Sequence, residues 1–478
     1  MADPTKPRVI IDPPLRDWRV SGVGSGESRG ALVGLLDTLG LHDTPFDPTR
    51  PVIATGHQAW FWHPGILAKD LAMSAASERL GTQPVHLVVD HIANPAMAID
   101  VPVRRGDAVE VEVLRLGQDD LAVGTGRRAP LEPGALREAV ERFESGLDGE
   151  PLVDLSVLRN ADALIADTDA RSLADTITAL QLAWMRPMCG DVFVLRTSQL
   201  SRLASFEAMV GRMVSDARRC VAEYNKAVAR VPKAGVAPLL VERDRVELPL
   251  WVIGIDGSLG RVFADLADST PILTREDSTP IDSVATDGAM HLPLAPKALA
   301  LTAYMRSTVC DLFIHGTGGG LYEQITERWW RGWAGEKLAP LTVVSADVTL
   351  DLEVPVATSA ELEKTVWLRH HLPHNVDRFA EDPATLDPAL LAEKRAILAG
   401  DPADHDSSAK RETGRRLRTI NRALADAHTE LLTDAAAAVA RARQGLANAR
   451  IANRRDWCFQ LYPPEKLAAL RQALLGSA

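Results

Sequence analysis

PVIATGHQAWFWHPGILAKDLAMSAASERLGTQPVHLVVDH, residues 51–91, is the stretch that decides the fold. Pro51 to Ala54 is a short apolar run, as in a strand buried on both faces. Thr55-Gly56-His57-Gln58 reads as a loop after it. From Pro64 the spacing of Ile66, Leu67, Asp70, Leu71 and Met73 predicts a helix that Gly81 ends. Pro64 suits its first turn, where no N–H is needed. Gln83 to His91 is a second apolar run and a second strand. Strand, loop, helix and strand within about forty residues is the βαβ signature of a parallel sheet.

A similar unit occurs at PKALALTAYMRSTVCDLFIHGTGGGLYEQITERWWRGWAG, residues 296–335. Leu299 to Met305 reads as helix and Val309 to Ile314 as strand. Gly316 to Gly320 reads as a glycine loop, and Leu321 onward as a helix ending near Gly335. Between the two units, residues 101–115 alternate as in a hairpin. Residues 133–231 are mostly helical in pattern, with a strand at Asp191–Leu195. The runs VAPLLV and LPLWVIGI within 236–264 read as strands, and Leu341 to Val356 as closing strands. Thr358 to Glu361 is a capping box. Ser407 to about Asp456 then carries no proline. Leu417, Ile420, Leu424, Ala427 and Leu431 mark one stripe along it. At 1.5 Å per residue this is a rod of roughly 75 Å, which must pair with another helix, from this chain or a second copy. The expected division is a first core part at 1–132, a mostly helical insert at 133–235, a second core part at 236–356 and a helical region at 357–478.

The 478 residues exceed one ordinary core. The formal charge of −11 provides no global field for a nucleic acid backbone, so nucleic acid is not an expected partner. No run of 18 apolar residues suggests a membrane span, and the N-terminus does not resemble a signal peptide. Four scattered cysteines (Cys189, Cys220, Cys310, Cys458) fit a reducing cytoplasm. Cys310 reads as a buried inert thiol.

Three places carry chemistry. At Thr55, Gly56, His57 and Gln58, followed by His63 and Lys69, a strand-to-helix loop offers backbone N–H groups and a helix dipole to an anion. His57 or His63 would be the acid–base residue there. At Gly316, Gly318, Gly319 and Gly320, flanked by Arg306, His315, Tyr322 and Glu323, glycines let a ligand approach the backbone. This run has neither the Gly-Lys-Ser/Thr ending of a P-loop nor the last glycine of GxGxxG. At Asp90 and His91 a carboxylate adjoins an imidazole at a strand end, a pairing suited to proton transfer. His370, His371 and His374 resemble a metal motif, but Pro373 interrupts the helix that would align them, so no metal is expected. Trp329, Trp330 and Trp333 lie at helical spacing and read as packing.

With these segments in order, the chain resembles the bacillithiol-biosynthesis cysteine-adding enzyme family. TGHQAWFWHPGILAK is similar to that family's TGQQ-type loop and downstream lysine. PVHLVVDH is similar to the strand before its acidic-histidine motif. The 296–325 segment is similar to its arginine-bearing helix, strand, glycine loop and tyrosine. His57 stands in place of a glutamine, and Gly319 in place of a glutamate. The resemblance implies a Rossmann-like parallel-sheet core with inserted helical segments and a C-terminal α-helical coiled coil. It also implies a ligase-like reaction joining cysteine, or a similar amine, to a small anionic sugar–acid conjugate, with ATP or ADP as candidate cofactor. Two rivals are a nucleotidyl-transfer or other ATP-using enzyme, and a non-catalytic assembly protein that forms a homodimer through its long helix.

Overall fold

The computed structural model describes residues 6–20, 46–47, 49–166, 169–286, 289–380, 382–400 and 407–476. The chain is mixed α/β. Strand β1 (Arg8–Asp12) precedes β2 (Val52–Gln58), helix α1 (Pro64–Leu80) and β3 (Gln83–Val89). Next come β4 (Ala98–Arg105), β5 (Ala108–Arg115), β6 (Glu150–Pro151), α2 (Leu173–Cys189), β7 (Phe193–Arg196), α3 (Ala204–Ser215) and α4 (Ala217–Arg230). The middle of the chain forms β8 (Arg245–Ile253), β9 (Leu259–Asp265), β10 (Ile272–Thr274), β11 (Val284–Thr286), β12 (Ala289–His291) and β13 (Leu294–Pro296). Helix α5 (Ala298–Tyr304), β14 (Leu312–His315), α6 (Thr317–Trp333) and β15 (Leu341–Asp347) return to the central sheet. The chain ends in α7 (Ser359–His371), α8 (Ser407–Asp426), α9 (Thr429–Ala452) and α10 (Pro464–Leu475).

The central sheet has the order β1-β15-β14-β2-β3-β7. Its neighbours are parallel except β1, which runs antiparallel at one edge. Successive side chains of a strand face opposite sides, and both sides here are covered. Ile53, Leu312 and Ile314 join one core with Leu67 and Leu71 of α1. Val52, Ala54 and Phe313 join a second core with Trp329 and Trp333 of α6 and Val221 and Tyr224 of α4. This two-sided burial explains the continuous apolar runs in the sequence. A four-stranded sheet, β10-β9-β8-β13, lies beside the second core, and β4 and β5 form the expected hairpin.

Several local expectations are corrected. Thr55–Gln58 is strand: the parallel ladder with β3 runs unbroken to the pair Gln58 and Val89. Gly56 therefore makes no turn. It is needed because a Cβ there would lie 2.5 Å from the Leu87 carbonyl oxygen. The glycine run from Thr317 is the first turn of α6. Val309 belongs to a π-helical turn, Met305–Val309, that continues α5, and β14 starts only at Leu312. VAPLLV supplies a single bridge, Val241 to Val246, in place of a strand. Of the closing strands only β15 forms. The fifty-residue rod is two helices, because His428 leaves the helical region with φ −125° and ψ 46°. Each half then meets a different neighbour. Ile420 and Leu424 of α8 pack on Val376 and Leu386, whereas α9 runs against α7 and β5. Asn448 of α9 is buried and bonds the carbonyls of Asp107 and Pro355 and the amide of Val109. After α9 the chain rejoins the first core through Trp457, Phe459 and α10. No helix among the described residues is long and apolar enough to cross a membrane.

Candidate active site

The C-terminal ends of β2, β3 and β14 open into a cleft of about 430 Å³, where α1 and α6 begin. Ligands of open parallel sheets bind at this edge because the crossover helices point their N-termini toward it. Of the residues singled out above, Gly56, His57, Gln58, His63, Lys69, His91, His315, Gly316, Gly318, Gly319 and Tyr322 line it. Two separate sequence segments and a third strand end thus converge. No Asp or Glu is among the lining residues.

Lys69 is the charged centre. It projects from the second turn of α1, is 3% exposed, and donates to the Gly56 carbonyl at 2.6 Å. Among the described residues no carboxylate lies within ion-pair distance of its Nζ. Burial pushes its pKa down to about 8, against the opposing field of Asp70. Three histidines feel this ammonium. His57 is held well below the usual imidazole range by burial first, then by Lys69 and His86. His63 is lowered mainly by burial. Burial, helped by Lys69, pushes His315 down to about 3. All three are neutral at pH 7, so the site carries one buried positive charge among neutral imidazoles.

The two helix starts differ. At α1, His63 Nδ1 accepts from the Gly65 amide at 3.0 Å and the His63 carbonyl accepts from Ile66. Pro64 has no N–H, so this end caps itself and the expected free amides are absent there. At α6, the Gly319 and Gly320 amides turn back to the Gly316 carbonyl, and Gly316 provides no side-chain cap. The Thr317 and Gly318 amides make no hydrogen bond within the described chain, and both residues line the cleft. Gly318 is open, with nothing within 4 Å of a notional Cβ, whereas a Cβ on Gly319 would strike the His315 ring at 1.7 Å. His315 therefore occupies the space that a glutamate at 319 would need.

His315 Nδ1 accepts from the Gly316 amide at 2.9 Å, and its Nε2 lies 2.7 Å from Tyr322 Oη. A neutral ring that accepts at Nδ1 carries its proton on Nε2. Tyr322 accepts that proton and keeps its own hydroxyl hydrogen for the cleft. Burial raises the Tyr322 pKa, which keeps the phenol protonated.

Asp90 and His91 sit where β3 ends. Asp90 turns away from the cleft and accepts from Thr197 Oγ1 at 2.6 Å and from the Ser198 amide at 2.9 Å. His91 faces the cleft and places Nδ1 2.7 Å from the same Thr197 hydroxyl. Adjacent strand-end residues thus point apart, but Thr197 joins them.

The remaining candidates lie outside the cleft. Arg306 is buried, does not line the cleft, and is held by Glu323 at 2.7 Å, Glu327 at 2.6 Å and the Ala339 carbonyl at 2.8 Å, so its charge is already met by two carboxylates. Glu323 is its partner, with burial raising its pKa against the pull of Arg306. Thr55 Oγ1 donates to the Ile314 carbonyl and ties β2 to β14. Gly320 packs near Val343. Asp90 is joined to His91 by hydrogen bonds through Thr197. Sequence reading missed Thr197, which lies over a hundred residues downstream of His91. It also missed the Asp70–His86 pair, fully buried at 2.7 Å beneath Trp62, which stacks on His86 at 4.7 Å. The His370, His371 and His374 rings meet at the end of α7, yet no group of metal-ligating side chains is found among the described residues. All four cysteines are buried and none forms a disulfide. No protein-family model matches the chain, and no curated protein matches it as a relative.

Proposed function

We propose that the cleft is the active site of a ligase-like enzyme that joins cysteine, or a similar small amine or amino acid, to an anionic conjugate. The reading combines the cleft with the resemblance to the bacillithiol-biosynthesis cysteine-adding family. One observation carries it: a buried ammonium without a carboxylate partner faces the open amide end of α6 across a cleft lined by no acid. A buried charge is costly unless paired, and an anionic substrate would supply the partner. Tyr322 Oη and the Thr317 and Gly318 amides add neutral donors, suited to negative charge that develops on an acyl oxygen. We read the sheet and its crossover helices as Rossmann-like and the α7–α9 pair as a coiled-coil-like arm that carries no chemistry. A cytoplasmic setting goes with this reading.

The test is ligand binding by wild type and by Lys69→Met. Thermal unfolding in the presence of sugar–acid conjugates, cysteine, ADP and ATP should show stabilisation of wild type by the anionic conjugate. The gain is RT ln(1 + [L]/Kd), about 2.7 kcal/mol at a hundredfold excess over Kd. Lys69→Met should lose it. Incubation with cysteine, the family's glucosamine–malate conjugate and ATP, which would activate the carboxylate and carry away its oxygen, should yield the amide. Binding of anions that survives Lys69→Met unchanged would sink the proposal. A response to ATP without any response to the conjugate would favour the nucleotide-using alternative.

A further inference from the structure

The Thr197 hydroxyl has one proton, and its neighbours fix where that proton goes. Asp90 Oδ1, at 2.6 Å, also accepts the Ser198 amide, and Asp90 Oδ2 accepts from the Ser198 hydroxyl, so both carboxylate oxygens act as acceptors here. Thr197 therefore donates to Asp90. Its two lone pairs then receive the Asp90 amide at 3.2 Å and His91 Nδ1 at 2.7 Å. His91 must carry its proton on Nδ1, which leaves Nε2 as a bare lone pair. That Nε2 is buried, makes no hydrogen bond of normal geometry among the described residues although the Pro296 carbonyl neighbours the ring, and belongs to a residue 5% exposed that lines the cleft. Leaving a buried acceptor unmade costs about 1–3 kcal/mol, and this one belongs to the cleft wall, where a substrate would meet it. The cleft also offers the Lys69 ammonium, the Tyr322 hydroxyl and the amides at the start of α6 as donors, and His57 Nδ1 is a second buried nitrogen without a partner.

We propose that His91 is the proton acceptor of this cleft, with Thr197 and Asp90 as its positioning residues. The substrate then bears an O–H, N–H or S–H beside its anionic group, as a hydroxy, amino or mercapto acid does. The X–H bond breaks toward Nε2, its electron pair stays on X, and the imidazolium keeps its Nδ1–H on Thr197. Burial pushes the His91 pKa down to about 4, against the opposing pull of Asp90 and the Pro296 carbonyl, so the resting ring is neutral and its proton-free nitrogen is available to accept. This inference rests on reading the cleft as an anion site.

Two measurements on the full chain test it. Nitrogen-15 spectra of the histidine side chains at pH 7, with His91 assigned through His91→Gln, should show Nδ1–H and a bare Nε2. Thr197→Val should abolish that tautomer preference and Thr197→Ser should restore it, both with an unchanged backbone amide spectrum. An Nε2–H tautomer directed at the Pro296 carbonyl would overturn the proposal, as would a preference indifferent to Thr197→Val. The second measurement compares L-lactate with propionate, which differ only by the hydroxyl donor. One good hydrogen bond corresponds to roughly tenfold in affinity, so wild type should favour lactate by that factor and His91→Phe should bind the two alike. Equal affinities in wild type overturn the donor requirement. If neither acid binds although the tautomer is as stated, the anion reading of the cleft and the substrate class fall, and the His91 assignment stands.

Discussion

Lys69 shows how a single side chain trades stability for a site. Its amine titrates near 8 when folded and near 10.5 when free. Below pH 8 it is protonated in both states, and the folded chain bears the whole cost of the buried charge. Between 8 and 10.5 the unfolded chain holds more protons, so stability rises with pH across that window and the cost is gone above it. The gap corresponds to about 3 kcal/mol. Lys69→Met has no such titration, and the ionisations common to both proteins cancel in the difference. Denaturant unfolding of the pair should show wild type gaining about 3 kcal/mol on the variant between pH 8 and pH 10.5. A difference that stays flat would mean that Lys69 is solvated or paired. His57 and His315 add a reciprocal effect. Both are lowered first by burial and then by Lys69, so an anion that neutralises the ammonium should raise both, and binding should take up protons at acidic pH, below the ordinary imidazole range. Calorimetry in buffers of different ionisation enthalpy reads that uptake.

At the scale of elements, the first turn of α6 separates conformational from functional glycine. Gly318 meets nothing, so Gly318→Ala should stabilise the helix by about 0.5–1 kcal/mol. Gly319→Ala places a methyl on the His315 ring and must displace it, at a cost of about 1–3 kcal/mol. Thermal midpoints that move in opposite directions would bear this out, and two equal shifts would refute it. The same turn shows what the sequence could disclose. The run Gly316 to Gly320 marked the place of the site but not its backbone, because glycine is as free to start a helix as to loop. The two βαβ-like units were legible since buried parallel strands are apolar throughout and their helix starts carry Pro64 or glycine. The extent of β2 was not, because Thr55-Gly56-His57-Gln58 is polar enough to read as loop and only the ladder with β3 holds it extended. Arg306 misled for a related reason: its type suits an anion, but its partner Glu323 comes from a different helix. Thr197 gave no local signal at all, since a threonine becomes a relay only when the sheet brings β7 beside β3.

In the whole molecule the first core is completed by residues 457–475, which pack with α1. The Phe459 amide donates to the Trp62 carbonyl at 2.7 Å, Gln460 bonds Gln181, and Tyr462 Oη reaches the Val348 carbonyl. Trp457, Phe459, Leu470 and Leu474 are buried in the same core as α1. Full burial of each such side chain stabilises by about 1.5–3 kcal/mol, and their sum rivals the 5–15 kcal/mol that holds an entire domain folded. The arm is different: Ile420, Leu424 and Ala425 belong to a small core of their own with Val376 and Leu386. Two truncations of similar chemistry should therefore have unlike reach. Phe459→Ala should cost about 3–5 kcal/mol and speed amide exchange in β2 and α1, carrying the damage to Trp62, His57 and the cleft. Leu424→Ala should cost about 2–5 kcal/mol within the arm and leave exchange in β2 and α1 as it was. Hydrogen exchange read segment by segment decides between this arrangement and one cooperative unit. If Leu424→Ala accelerates β2 as much as Phe459→Ala does, the arm and the sheet unfold together, and the arm contributes directly to the rigidity of the site.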